Sequence, residues 1–214
     1  MIRRAAPALL LFALLAGCSS AASPVADVVS TAPFTRAAGI PASALLQPDD
    51  VYGADGESLP KGDFAFVRPL RPCDEAYPSD STRVEAVAKK WVVDTGEGGG
   101  TVPTVVTEFL GLHEPGGAEK QFGEIVAALE KCASKGERKW TVLTASPESV
   151  LVRIDTKESY ADEAPSTVSR YAAMARVDDA IVVVTDLGWE NLGGDEKLVK
   201  ELIAKAVQRA VTIP

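Results

Sequence analysis

TVSRYAAMARVDDAIVVVTDL, Thr167–Leu187, consists of two extended runs joined by an acidic pair. In the first run Val168, Arg170, Ala172 and Met174 fall on one face and Ser169, Tyr171, Ala173 and Ala175 on the other. Such period-two alternation predicts a strand. Ala180–Leu187 is a second β-favouring run, and Asp178-Asp179 reads as the turn of a hairpin rather than as a metal site.

The same pattern recurs upstream. Lys139–Ala145 (KWTVLTA) and Ser149–Asp155 (SVLVRID) flank the turn signal Ser146-Pro147, and Val84–Asp94 and Thr101–Leu112 flank Gly96-Glu97-Gly98-Gly99-Gly100. That glycine run lacks the Lys-Ser/Thr of a P-loop and the spacing of a dinucleotide fingerprint, so it reads as a plain connection. Trp91 and Trp140 fall within strands and are expected in the core. Residues 116–134 predict an amphipathic helix with Phe122, Ile125, Val126, Leu129 and Cys132 on its apolar face and Gly136 marking its end. A second helix is predicted from Asp195, its N-cap, to Val211, with Leu198, Val199, Leu202, Ile203, Ala206 and Ala210 buried. Residues 53–82 are Gly- and Pro-punctuated and read as loop. With no repeat and no second core, residues 43–214 make one α+β domain.

The N-terminus carries a different signal. Met1-Ile2-Arg3-Arg4 precedes an apolar run, Ala5–Leu15, which is too short to span a hydrocarbon core of ~30 Å. It ends in Leu15-Ala16-Gly17-Cys18, which looks like a bacterial lipobox. Residues 1–17 are therefore read as a lipoprotein signal peptide, Cys18 as the lipidated first residue of the mature chain, and 18–42, rich in Ala, Ser, Pro and Val, as a flexible tether. The other reading is a plain secretory signal with a cysteine near its cleavage site. Lipidation would make the membrane, reached through the anchor, the first partner, and the extracytoplasmic face of the cell membrane the location. The net charge of −8 becomes more acidic once Arg3 and Arg4 leave, and a nucleic-acid partner is excluded for want of a basic face.

Of three cysteines, Cys18 is taken by lipid, which leaves Cys73 and Cys132 in an oxidising compartment. They are expected to bridge and so to tie the irregular 53–82 segment to the folded body. The alternative is two separate buried thiols.

Chemistry requires convergent polar groups, and the sequence offers few. There is no G-x-S-x-G elbow, no H-E-x-x-H and no calcium loop, and a single histidine leaves no usual zinc set, so no catalytic residue, metal or cofactor is assigned. Glu108, His113 and Glu114 are neighbours along the chain, and Asp155, Asp186 and Glu190 are carboxylates that one sheet edge would gather. Trp189, in the loop between the last strand and the last helix, is positioned to line a binding cleft, with Tyr171 and Phe109 assigned to the same groove from strand parity.

Several stretches together resemble one known family. They are ALLQPDDVYG (Ala44–Gly53), RPC (Arg71–Cys73), the strand-then-helix run from Val105 to Cys132, and RVDDAIVVVTDLGWE (Arg176–Glu190) before a terminal helix. In order and spacing the chain, over roughly residues 43–211, resembles the PknH-like extracellular sensor domains of actinobacteria. The resemblance implies a twisted, mostly antiparallel sheet, here of five to six strands packed with two main helices, and a cleft used in sensing. It departs in lacking a kinase domain and in allowing one disulfide where the kinase sensor has two. The function expected is that of a lipid-anchored, non-catalytic sensor-like protein binding a small-molecule or protein ligand of the envelope. The alternatives are a structural or accessory envelope lipoprotein, and a carboxylate-dependent envelope hydrolase built around His113.

Overall fold

The run Ala180–Asp186 is buried at every position. A strand achieves that only with a neighbour on each edge and cover on each face. The computed structural model describes residues 39–60, 69–96, 102–135, 137–159 and 164–213. Residues 1–38, on which the readings of a signal peptide, a lipidated Cys18 and most of a tether fall, lie outside the described residues.

In chain order the strands are β1 (Gly56–Ser58), β2 (Arg83–Val93), β3 (Thr104–His113), β4 (Ser134–Lys135), β5 (Arg138–Ala145), β6 (Ser149–Glu158), β7 (Ser166–Val177) and β8 (Ala180–Asp186). Helix α1 (Gly117–Lys131) follows β3, and α2 (Glu196–Ala210) follows β8. One sheet runs β1-β2-β3-β8-β7-β6-β5-β4, with every pair antiparallel. The α+β class and the twisted antiparallel sheet with two helices are as the sequence predicts. The two strands beyond the expected six are β1 and β4, of three and two residues. Neither is long enough to show a period in the sequence.

The two helices lie on opposite faces of the sheet. Residues of one parity, among them Phe109, Met174, Ile181 and Val183, pack with Phe122, Ile125 and Leu129 of α1. Residues of the other parity, among them Leu110, Val182 and Val184, pack with Leu198, Leu202 and Ala206 of α2. Asp195 caps α2 as expected, its side chain accepting from the N–H groups of Lys197 and Leu198. Helix α1 stops at Lys131, short of the predicted 134, because Cys132 leaves helical geometry where it bonds to Cys73. That disulfide has Cα atoms 5.3 Å apart and pins the segment before β2 to the end of α1.

On the α2 face residues 40–51 form a strap. Ala44, Leu45, Leu46 and Val51 are buried with α2. Polar links fix the strap: Ile40 N–H donates to Glu85 at 3.1 Å, Leu46 N–H to Glu108 at 2.9 Å, and Arg209 pairs with Asp50 at 2.8 Å. No helix among the described residues is long and apolar enough to cross a membrane.

Candidate functional site

Cross-strand register places Trp140, Ile154 and Arg170 side by side on the α1 face of β5, β6 and β7. The end of α1 packs against one side of this row, and the stapled segment around Cys73 lies over the rest. The result is a cavity of about 560 Å³. Its floor is Trp140, Ile154, Thr156, Arg170 and Leu187, and its wall is Leu70, Arg71 and Asp74, the residues around Cys73. Glu158 and Arg138 close its ends.

The polar groups here are held in place. Arg170 donates from Nε to the Leu187 carbonyl at 2.9 Å and pairs with Glu158 at 2.7 Å. Arg71 pairs with Asp80 at 2.6 Å and lies 5.8 Å from the Tyr77 ring centre. Asp80 is a hub: it also takes Arg83, the Gln121 amide at 3.0 Å and the Tyr77 N–H at 3.0 Å. Arg138 is looser, 3.8 Å from Asp74 with 58% of its side chain exposed. Preorganised donors over an apolar floor are the usual make-up of a ligand site.

Sequence reasoning missed this constellation, although one signal for it was present. Arg170 shares a face with Val168, Ala172 and Met174, and an arginine on the buried face of an inner strand is the anomaly to follow.

The three aromatic residues assigned to one groove do not meet. Phe109 pairs through Val183 with Met174 and so faces α1, where it is fully buried beneath the Arg83 guanidinium. Tyr171 has the opposite parity and packs toward Val199 and Ile203. Parity within one strand is legible from sequence, but parity between distant strands needs their register. Trp189 bridges to Leu192 and lines a separate cavity of about 200 Å³ with Asp186 and Leu198. The tryptophan at the larger cavity is Trp140, and both it and Trp91 are buried in the core as expected.

The acidic groups do not gather around the histidine. His113 faces α1, its Nδ1 2.9 Å from the Thr82 hydroxyl, and desolvation holds its pKa below the ordinary value. Glu108 faces α2, where burial pushes its carboxyl up to about 8 against the Leu46 N–H bond. Glu114 is exposed. Asp155 takes the Ser169 hydroxyl at 2.7 Å, while Asp186 accepts the Gly188 and Asp195 N–H groups and the Thr104 hydroxyl. Asp178-Asp179 forms the hairpin turn, and Asp179 also accepts the Gly116 N–H at 3.0 Å before α1. Among the described residues no group of three or more His, Cys, Asp or Glu side chains is arranged to hold a metal.

No family model and no curated protein sequence matches this chain.

Proposed function

We propose that the chain is a lipid-anchored extracytoplasmic protein of sensor-like type, whose role is to bind a ligand rather than to transform one. The observation that carries this reading is the cavity of about 560 Å³ whose wall is stapled by Cys73–Cys132 and whose floor holds Trp140 and Arg170. A site with fixed walls binds at lower ordering cost. The disulfide suits an oxidising compartment, and the LAGC string at Leu15–Cys18 suits attachment through lipid. The resemblance to extracellular sensor domains adds a role in which binding is passed to a partner.

The test has two arms. In a bacterial host that processes lipoproteins, fed an alkyne fatty acid, the wild-type chain should take up label and pellet with membranes. The Cys18→Ser chain should do neither, and equal pelleting of the two would remove the anchor. Protein purified from those membranes should release a small molecule seen by mass spectrometry and lost in Trp140→Ala. A release identical in both proteins, or none, would leave the structural-lipoprotein reading in its place.

A further inference from the structure

Resting on the reading of the larger cavity as a ligand site, we infer that its ligand is a small amphipathic anion: an oxyanion head, carboxylate or phosphate, joined to an aromatic or compact apolar body. Three arginines, Arg71, Arg138 and Arg170, line the space against two carboxylates, Asp74 and Glu158. Each guanidinium offers five N–H donors and no acceptor. The pairings with Asp80, Asp74 and Glu158 therefore orient the arginines and leave donors over for a guest. Thr156 and Thr185 add hydroxyls on the floor.

The charge balance of the whole molecule sharpens the point. A protein of net charge −8 repels anions on average, whereas at and behind this cleft four guanidinium groups, Arg71, Arg83, Arg138 and Arg170, meet three carboxylates, Asp74, Asp80 and Glu158, a small local reversal of sign. Such reversals focus anionic ligands. An ion alone would leave much of the space unfilled, because Trp140, Ile154, Leu70 and Leu187 present apolar surface to it. An apolar body over Trp140 covers that surface while the head meets Arg170, which lies beside Ile154 in the same cross-strand row. Arg138, exposed at the rim, is placed to meet the head on entry.

The experiment compares probes that differ in one property each, using the full lipidated chain in phosphatidylcholine vesicles, with protein-free vesicles as the blank. Calorimetry should show 2-naphthoate binding at least about tenfold more tightly than 2-naphthamide, which has the same ring system without the charge; tenfold corresponds to one charge-assisted contact. 1-Naphthyl phosphate should exceed inorganic phosphate by a similar factor, and comparing naphthoate with naphthyl phosphate separates a carboxylate head from a phosphate head. Arg138→Ala, at an exposed position, and Arg170→Gln, checked for an intact melting transition, should each reduce the preference for the charged probe. Equal binding of naphthoate and naphthamide would overturn the anion inference while leaving a binding cavity standing. Preference for naphthoate that survives both substitutions would place the anion elsewhere and overturn it too. Absence of binding by every probe would also overturn it, whereas the binding reading falls only if membranes yield no Trp140-dependent small molecule.

Discussion

The carboxylate side chain of Glu108, fully buried in the middle of β3, accepts the backbone N–H of Leu46 at 2.9 Å. Its second oxygen has no partner among the described residues. A strap far away in sequence is thus tied to the centre of the sheet by a group whose burial favours the protonated form.

That burial makes stability depend on pH. Below the ordinary value of 4.5 the carboxyl is protonated folded and unfolded alike, at no cost. Between 4.5 and about 8 the unfolded chain loses the proton and the folded one keeps it, so stability falls as pH rises and levels off above that range. The whole window is worth on the order of 5 kcal/mol. Glu108→Gln should flatten this slope and raise the melting temperature at pH 8, as urea melts across pH 4–9 would show. An unchanged slope would contradict the assignment.

His113 contributes an opposite limb. Its pKa is lowered by desolvation and by the nearby Arg83, so on acidification through its ordinary value of 6.5 the unfolded chain gains a proton before the folded one does. Stability contributed by His113 is present at higher pH and lost as pH falls. In a Glu108→Gln background the stability profile should therefore decline toward acid, and replacing His113 with Gln should weaken that decline.

Reduction of Cys73–Cys132 should cost roughly 4 kcal/mol in the chain-entropy account, given a sequence separation of 59. Guanidine melts with and without reductant measure this. Because Leu70, Arg71 and Asp74 flank Cys73, naphthoate binding should suffer more than the far-side α2 packing, read by hydrogen exchange.

Asp80 ties Arg71, Arg83 and Gln121 together. Asp80→Ala leaves two largely shielded guanidinium groups without it, which predicts a loss of roughly 3 kcal/mol. A loss below about 1 kcal/mol, the range of a surface pair, would show that the hub is dispensable.

Gly188 has φ +72°, and a Cβ there would collide with the Leu192 carbonyl oxygen. Gly188→Ala should therefore destabilise the loop that carries Trp189 and lower the melting temperature by several degrees. A neutral result would show that this loop rearranges freely.

Local features were legible in the sequence. Asp195 and the apolar stripe of α2, the Asp178-Asp179 turn and the Cys73–Cys132 pairing each follow from neighbouring residues or from simple counting. What was not legible depends on pairings between distant segments. The alignment of Phe109 with Val183 decides that Phe109 and Tyr171 face opposite ways, and nothing within either strand encodes it. The Asp80 hub was hidden for another reason: it sits in a five-residue 3-10 turn, Pro78–Thr82, too short to show a period. The cavity needed both kinds of information, since its floor is a cross-strand row and its wall is irregular chain.

The strap has a mechanical consequence. A pull on the chain ahead of Ile40 reaches its fastenings in turn: the Glu85 link, then the Glu108 link, then Asp50 with Arg209 and Lys205. Their order along the chain predicts that they give way one after another, ahead of the ladders between strands. Single-molecule pulling from the N-terminus should show a small early release before the main rupture. Because the larger cavity is on the opposite face, the site would keep its shape through that release, and the strap would serve as a mechanical fuse for it.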